Sequence, residues 1–561
     1  MFNAKRANFI KIIIFSIFVI AFIRLFYIQI VEGLFYKKKN DWNVITLKVP
    51  AKRGNIFDRN GVLLATDVES YVMYVDKKII KNRERIGRIL ETKGIISRNE
   101  FIERLNETSS RVVIVKKGLT KEDVKNAGDI EGIFFTMEWK RFYPHGNILR
   151  TVLGKINYER KGIAGIEKQF DKFLSGKDGF ETYVLNLRSK YRYINYPDGK
   201  NIEPINGKDM YLTIDFNIQD ICDKVARKTR EKTGASNVLC VVIDPETGEI
   251  LGLADVPELD ETDKWKMSSF VERDYEPGSI FKLIPAACWL LEKKDTSKIV
   301  CEKNEKKKFN NKVLKDENDH PAYNFVQSFA NSSNVGFINI GFEIGAKKIL
   351  EISKRFGLFS KTGIELPNEV TGKPFSENYK YKIDFANVCF GQGFKTTIAQ
   401  IVYAYAAIGN NGIRLKPQIV KKITDGKLNY YEGKKEKVCK VLNKKMNEKV
   451  INIMEKVVEY GTGRLANIPG VKIIGKTGTG EQGKSTGYSG ENYLSSFIGI
   501  INPENNGLLI GVFIENPVGS HKASVIACPA FKEIAERIIT LKDYRERFLR
   551  SIAYENERDS K

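Results

Sequence analysis

Ser279 and Lys282 stand out in this chain of 561 residues, because no other serine is followed by a lysine three positions later. That spacing puts a hydroxyl and an amine on one face of a helix. Pro277-Gly278 just before them signals a helix start, and Leu283-Ile284-Pro285-Ala286-Ala287 after them supplies an apolar face to bury. With no histidine nearby in sequence, the pair suits acyl transfer, with the serine as nucleophile and the lysine as the base that takes its proton. Such a lysine must be neutral although its free pKa is about 10.4, so it needs burial or a second cation. Taken alone, the tetrapeptide also fits a capping serine beside a surface lysine.

Two further motifs follow in order, Ser332-Ser333-Asn334 and Lys476-Thr477-Gly478-Thr479. Similar strings recur as Ser97-Arg98-Asn99, Ser376-Glu377-Asn378 and Lys361-Thr362-Gly363, so context must separate them. Ser97 precedes the candidate nucleophile and lies among charges, Ser376 follows Pro374 in a polar loop, and Lys361 enters a turn-like stretch. By contrast, Val471 to Thr477 reads as a strand, and Gly478 would let a substrate backbone lie along its edge.

These residues need elements to hold them. Asn237 to Ile243 and Glu249 to Ala254 flank Pro245-Glu246-Thr247-Gly248 and predict a hairpin. A long helix-rich stretch carries the first two motifs, and Val471 to Thr477, Tyr493 to Ile501 and Leu508 to Glu515 predict three more strands, followed by a helix from Pro529. Residues 42 to about 205 mix short strand-like and helical pieces and hold no catalytic cluster. At the N-terminus, Ile12 to Val31 is long enough to span a bilayer and contains one charge, Arg24. No small-x-small site follows it, which favours an uncleaved anchor over a signal peptide. Lysines and arginines flank both ends, so charge hardly decides its orientation.

The three motifs together resemble the boxes of penicillin-binding proteins and serine β-lactamases. Arg53-Gly54-Asn55-Ile56-Phe57-Asp58-Arg59-Asn60-Gly61 and Gly165-Ile166-Glu167-Lys168-Gln169 are similar to stretches of the class B, monofunctional transpeptidases, as are Asp244-Pro245-Glu246-Thr247-Gly248 and Gly391-Gln392-Gly393. The resemblance implies an α/β (α+β) chain with an N-terminal transmembrane helix, an elongated mixed pedestal domain, and a C-terminal transpeptidase fold whose five-stranded antiparallel sheet is flanked by helices. The expected divisions are a cytoplasmic tail 1–8, an anchor 9–31, a pedestal of dimerisation type 32–207, a transpeptidase domain 208–545 and a charged tail 546–561.

It also implies an activity: peptidoglycan D,D-transpeptidation through a Ser279 acyl-enzyme, inhibited by β-lactams, with the catalytic domain outside the cell membrane. Lys282 would be the acylation base, Ser332 a proton relay to the leaving amine, Asn334 the group that orients Lys282 and holds the substrate amide, and Lys476 a positive charge for the substrate carboxylate. Thr477, Gly478 and Thr479 would bind substrate, and the backbone N–H groups of Ser279 and Thr479 would hold the oxyanion. No cofactor and no metal ion are expected. The implied partners are stem peptides ending in D-Ala-D-Ala, the membrane, a polytopic glycosyltransferase and division-complex proteins. Glu276 before Pro277 resembles the division and sporulation branch more than the elongation branch, which leaves elongation or spore-wall synthesis as alternatives.

Composition bounds the rest. The formal charge is +23, from 92 Lys and Arg against 69 Asp and Glu, which suits nucleic acid, anionic lipid or an anionic wall polymer. No nucleic-acid module is present in the sequence, and the anchor argues against one. Seven cysteines without C-x-x-C spacing form no disulfide framework, and Cys240, Cys288 and Cys389 sit in apolar surroundings that predict buried thiols. His145, His320 and His521 are far apart, so neither a zinc site nor a Ser-His-Asp triad is encoded locally.

Rival functions are weaker. Gly478 to Ser485 satisfies the phosphate-loop pattern, but such a loop must open a helix and Thr486 to Gly490 is turn-like. Gly483-Lys484-Ser485-Thr486-Gly487 matches a nucleophile-elbow pattern without its strand-to-helix turn. A β-lactamase or β-lactam sensor needs hydrolytic or signalling apparatus that the sequence does not display. A non-catalytic division scaffold would not need three intact motifs. Gly519-Ser520-His521-Lys522-Ala523-Ser524, expected to border the cleft, departs from the glycine-rich sequence usual in the family.

Overall fold

A computed structural model describes residues 4–32, 44–186, 192–195, 201–257, 268–310, 312–483, 492–504 and 507–546. The chain divides into two compact units. One comprises Met1–Arg53, Glu69–Lys140 and Ser175–Gly207; the other comprises Gly54–Val68, Arg141–Leu174 and Lys208–Lys561.

In the first unit, Ala4–Phe26 is α-helical and continues as a π-helical turn over Tyr27–Glu32. Asn8–Glu32 is long and apolar enough to cross a membrane. At 1.5 Å rise per residue its length matches a hydrocarbon core of about 30 Å. Further along, helices Arg83–Thr92 and Arg98–Asn106, capped by Asn82 and Ser97, bury Leu90, Phe101 and Leu105 against Met73, Val75 and Val115 of two paired strands. Ser97, one of the recurring S-x-N serines, is thus a helix cap.

The second unit is organised by a five-stranded antiparallel sheet. Its strands are β1 (Asn237–Ile243), β2 (Ile250–Pro257), β3 (Ile473–Glu481), β4 (Tyr493–Ile501) and β5 (Leu508–Glu515). Their order is β2-β1-β5-β4-β3, which puts β3 at an edge. Every residue of β1 is buried because both faces are covered. Val238, Cys240 and Val242 point into one core while Leu239, Val241 and Ile243 point into another, the period-2 alternation of a strand.

Helices α1 (Phe216–Thr233) and α7 (Ala523–Thr540) cover the first face. The insert between β2 and β3 covers the second, through α2 (Leu283–Leu291), α3 (Phe325–Ala330), α4 (Asn334–Ile344), α5 (Ile398–Gly409) and α6 (Lys444–Glu459). In α2 every residue but the last is buried, and Trp289 stacks on Phe325 at 5.5 Å. Burial of side chains this size stabilises by about 1.5–3 kcal/mol each.

One feature departs from the sequence expectation. The last helix begins at Ala523, not Pro529; the proline lies inside it. Burial of Ala523, Ala527 and Cys528 against the sheet outweighs the hydrogen bond that Pro529 cannot donate. The Arg53-to-Gly61 box, from Gly54 onward, belongs to the unit that carries the sheet. There Asp58 accepts from the N–H groups of Asn60, Val62 and Phe216, which ties the box to the start of α1.

Candidate active site

The sequence places Ser279 on a turn that is held from four sides. Gly278–Lys282 forms a 3₁₀ turn that leads into α2. Gly278 adopts φ +58°, where its N–H donates to Gly391 O at 2.9 Å and a Cβ would lie 2.9 Å from Gly480 Cα. Only glycine allows that approach. The buried Tyr405 hydroxyl donates to Ile280 O at 2.7 Å, and the Gln482 amide exchanges hydrogen bonds with the Glu276 backbone, 3.0 Å each. The result is a half-buried Ser279 fixed beside edge strand β3, with Lys282 fully buried behind it.

Lys282 Nζ donates to Asn334 Oδ1 at 2.8 Å and to Ser332 O at 2.6 Å, and lies 3.3 Å from Ser332 Oγ. Lys476 Nζ, equally buried on β3, donates to the same Ser332 Oγ at 2.8 Å and to Thr477 O at 3.0 Å. Ser332 itself is held at φ +59°, a left-handed conformation that costs a non-glycine residue about 1–2 kcal/mol and that clusters at functional sites. Burial pulls the Lys282 ammonium down to about 7, against an opposing pull from the Asp316 carboxylate. Burial first, and the charge of Lys282 second, push Lys476 well below its ordinary range. Two ammonium groups that share one desolvated site disfavour each other, so a neutral amine is available near neutral pH.

Along β3, Thr477 Oγ1 and Thr462 Oγ1 share a hydrogen bond of 2.6 Å, and Thr479 Oγ1 accepts from Ala523 N–H at 3.3 Å. A Cβ on Gly478 would meet Ser496 Oγ at 2.6 Å and Ile280 Cγ2 at 2.8 Å, so glycine here lets the nucleophile turn pack on the strand. Ser279, Ser332, Asn334, Thr477 and Thr479 open into one cleft of about 810 Å³, whose wall also includes Tyr460, Thr462, Arg464 and Lys522. Lys522 bridges to Glu317 at 2.6 Å, and both line the cleft. The His521 ring stacks on Tyr493 at 4.2 Å, and the His521 carbonyl accepts from the Ser495 hydroxyl; Lys522, Ala523 and Ser524 are the members of that loop at the cleft wall.

Asp316 was not singled out by its sequence context, yet it organises the second motif. Its Oδ1 accepts from the N–H groups of Asn334 (2.6 Å) and Val335 (3.1 Å), and its Oδ2 accepts from Ser333 Oγ at 2.5 Å. A carboxylate at the N-terminus of α4 satisfies donors that the helix leaves free and complements its dipole. Ser333 Oγ in turn caps α4 by accepting from Gly336 N–H. Near Asp316 lie Cys301 and His320, and the three donor atoms fall within 4.8 Å of one another, a group able to hold a metal ion. All seven cysteines are free thiols, and six of them are buried.

The other motifs fall elsewhere. Ser376 Oγ bonds within its own turn, and Thr362 of the second K-T-G is bound to Glu369. Gly478 to Glu481 of the phosphate-loop pattern are strand, Gln482 and Gly483 follow directly, and β3 is succeeded by its antiparallel partner β4; Lys484 and Ser485 of that pattern, and Lys484 to Gly487 of the nucleophile-elbow pattern, lie outside the described residues.

Two buried lysines joined through one serine oxygen, a second serine on a rigid turn, and an edge strand beside it define a serine–lysine acyl-transfer site on an α/β fold. The penicillin binding protein transpeptidase domain matches residues 238–536, and the penicillin-binding protein dimerisation domain matches residues 48–212. The chain belongs to the penicillin-binding protein transpeptidase family. It is 29% identical over 549 residues to Stage V sporulation protein D of Bacillus subtilis, covering 92% of this chain and 82% of that protein. It is 26% identical over 583 residues to the peptidoglycan D,D-transpeptidase FtsI of Buchnera aphidicola, covering 97% and 96%. In fold it is similar to penicillin binding protein 3 of Mycobacterium tuberculosis complexed with aztreonam, with TM-score 0.67, 24% identity, and 88% and 96% of the two chains covered.

Proposed function

We propose that this chain is a membrane-anchored peptidoglycan D,D-transpeptidase, inhibited by β-lactams, that cross-links stem peptides during septal wall synthesis. The observation that carries the reading is the convergence of two buried lysines on Ser332 Oγ in a cleft that opens at Ser279. Ser279 Oγ attacks the carbonyl of the penultimate D-Ala while neutral Lys282 takes its proton. The tetrahedral oxyanion rests on the N–H groups of Ser279 and Thr479, each worth about 3 kcal/mol. The proton returns through Ser332 to the leaving D-Ala, and a neighbouring strand's amine then displaces the acyl group from Ser279.

The substrate carboxylate, docked near Lys476, Thr477 and Thr479, holds Lys476 charged. That added charge keeps Lys282 neutral at the moment it must act as base. Asn334 orients Lys282 and binds the substrate amide, and Gly478 admits the substrate backbone to the edge of β3.

In this reading residues 9–31 anchor the chain once, residues 1–8 stay in the cytoplasm and everything beyond the anchor is extracytoplasmic. Residues 32–207 form the pedestal, 208–545 the transpeptidase domain and 546–561 a charged tail. A polytopic glycosyltransferase docked on the anchor and pedestal supplies glycan strands, and division proteins recruit both. The similarity to a stage V sporulation protein favours one second reading, spore-wall synthesis at the same site. Incubation with a donor ending in D-Ala-D-Ala and an acceptor amine tests the activity. The expected result is release of one D-Ala per cross-link formed, abolished in Ser279→Ala; cross-linking that survives this change refutes the reading. Depletion in the host separates the roles, since filaments with unconstricted midcells indicate division and a defect confined to spores indicates the second reading.

A further inference from the structure

We infer that Cys301, Asp316 and His320 form a binding site for a zinc-type divalent cation that holds one wall of the cleft in its working shape. His320 Nδ1 lies 2.6 Å from the carbonyl oxygen of Pro321, which can only accept, so Nδ1 carries a proton. In the neutral ring, Nε2 then turns its lone pair toward Asp316 Oδ2 at 3.1 Å and Cys301 Sγ at 4.0 Å. The imidazole nitrogen, the Asp316 carboxylate oxygen and the Cys301 sulfur thus converge within 4.8 Å of one another, a donor set suited to a metal ion that displaces the thiol proton.

Cys301 and His320 are both more than nine-tenths buried. Tetrahedral zinc with bonds of about 2.0–2.3 Å spaces its ligands by roughly 3.3–3.9 Å, close to the separations found here. Thiolate with imidazole and carboxylate selects zinc over calcium or magnesium, which take oxygen ligands. The surroundings also match those of ligating groups. A ligating histidine donates its other N–H to a backbone carbonyl, and a ligating carboxylate is itself hydrogen-bonded, as Asp316 is by Ser333 Oγ. With three protein donors, a fourth position remains for water.

The site connects directly to the catalytic lysine. Asp316 Oδ1 fixes the N–H of Asn334, whose side chain receives the Lys282 ammonium. Cys301 ends a short strand paired with Tyr323, so the cluster closes the loop between residues 301 and 323 onto the start of α4. Removal of the cation would leave the Asp316, His320 and Cys301 donors without their shared partner and loosen the segment that positions Asn334. This coupling rests on the transpeptidase reading; the metal site does not.

The experiment uses the full chain in detergent, dialysed against micromolar zinc and then against metal-free buffer. Elemental analysis is expected to find about one zinc per chain. Cobalt substitution is expected to give the thiolate-to-cobalt charge-transfer band. Cys301→Ser and His320→Ala, checked for folding by thermal melting, are expected to retain at least about tenfold less metal. Wild type stripped by a chelator is expected to react with a fluorescent β-lactam about tenfold more slowly and to recover with zinc but not magnesium. Wild type that stays metal-free, or a folded double variant that keeps its zinc, overturns the site. Unchanged acylation by stripped wild type overturns the coupling while leaving both the site and the transpeptidase reading intact.

Discussion

Lys282 and Lys476 meet at a single oxygen: Ser332 Oγ lies 3.3 Å from one ammonium nitrogen and 2.8 Å from the other, and both lysines are fully buried. Residues from the 3₁₀ turn before α2, the α3–α4 turn and β3 are thereby locked into one polar unit beneath the cleft. Neither lysine has a carboxylate within ion-pairing distance among the described residues, and the Asp316 carboxylate offsets the burial of Lys282 only in part.

Acylation depends on pH through this pair. Lys282 is protonated below about 7, so the rate constant with a fluorescent β-lactam rises with pH through a midpoint near 7 and falls about tenfold per unit below it. The same depressed value affects stability in a defined direction. An unfolded lysine titrates near about 10.4 and binds more protons than the folded one, so this group's contribution raises stability as pH increases from about 7 to about 10. Stopped-flow acylation and urea unfolding across pH 6 to 9 check the two signs.

Lys476→Ala removes the neighbouring positive charge and the docking point for the substrate carboxylate. Acylation should fall by about 10²–10³. The midpoint of the remaining pH profile should move to higher pH, since loss of a like charge relaxes Lys282 upward. A midpoint that stays where it is would separate the two lysines electrostatically.

Gly278→Ala places a Cβ at φ +58° and 2.9 Å from Gly480 Cα. The strain costs about 1–2 kcal/mol, and displacement of the Ser279 turn by about 1 Å should cost about 10² in acylation. Thermal melting together with the acylation rate tests whether the loss of activity exceeds the loss of stability.

Arg141 donates to Glu167 at 2.7 Å and to Asp67 at 3.2 Å, with all three side chains nearly inaccessible to solvent. Arg141→Ala leaves two buried carboxylates without this partner and should destabilise by about 3–5 kcal/mol. Arg104→Ala, at the exposed pair with Glu107, should cost under about 1 kcal/mol. Urea unfolding of both variants measures the contrast.

Much of the site could be read from the sequence because its motifs are local. Ser279 with Lys282, Ser332 with Asn334, and Lys476 through Thr479 each occupy one turn or one strand, and their order and context set them apart from similar strings. Strands β1 to β5 were legible from continuous apolar runs bounded by turn residues. What escaped was tertiary. Asp316 sits in Lys315-Asp316-Glu317-Asn318-Asp319, which reads as a solvated charged loop until the fold brings it under α4. His320 and Cys301 are 19 residues apart, outside any zinc-ligand spacing, and meet because the intervening chain folds back as a hairpin. The start of α7 at Ala523 was hidden by Pro529, whose local preference is overridden by packing on the sheet.

The central claim is that Ser279 is the nucleophile of an acyl-transfer reaction. Its most direct test is peptide mapping by mass spectrometry after exposure of wild type and Ser279→Ala to a β-lactam. The predicted result is one covalent adduct in wild type, confined to the peptide that contains Ser279, and none in the variant. An adduct on any other residue of wild type, or one that persists in Ser279→Ala, would contradict the account.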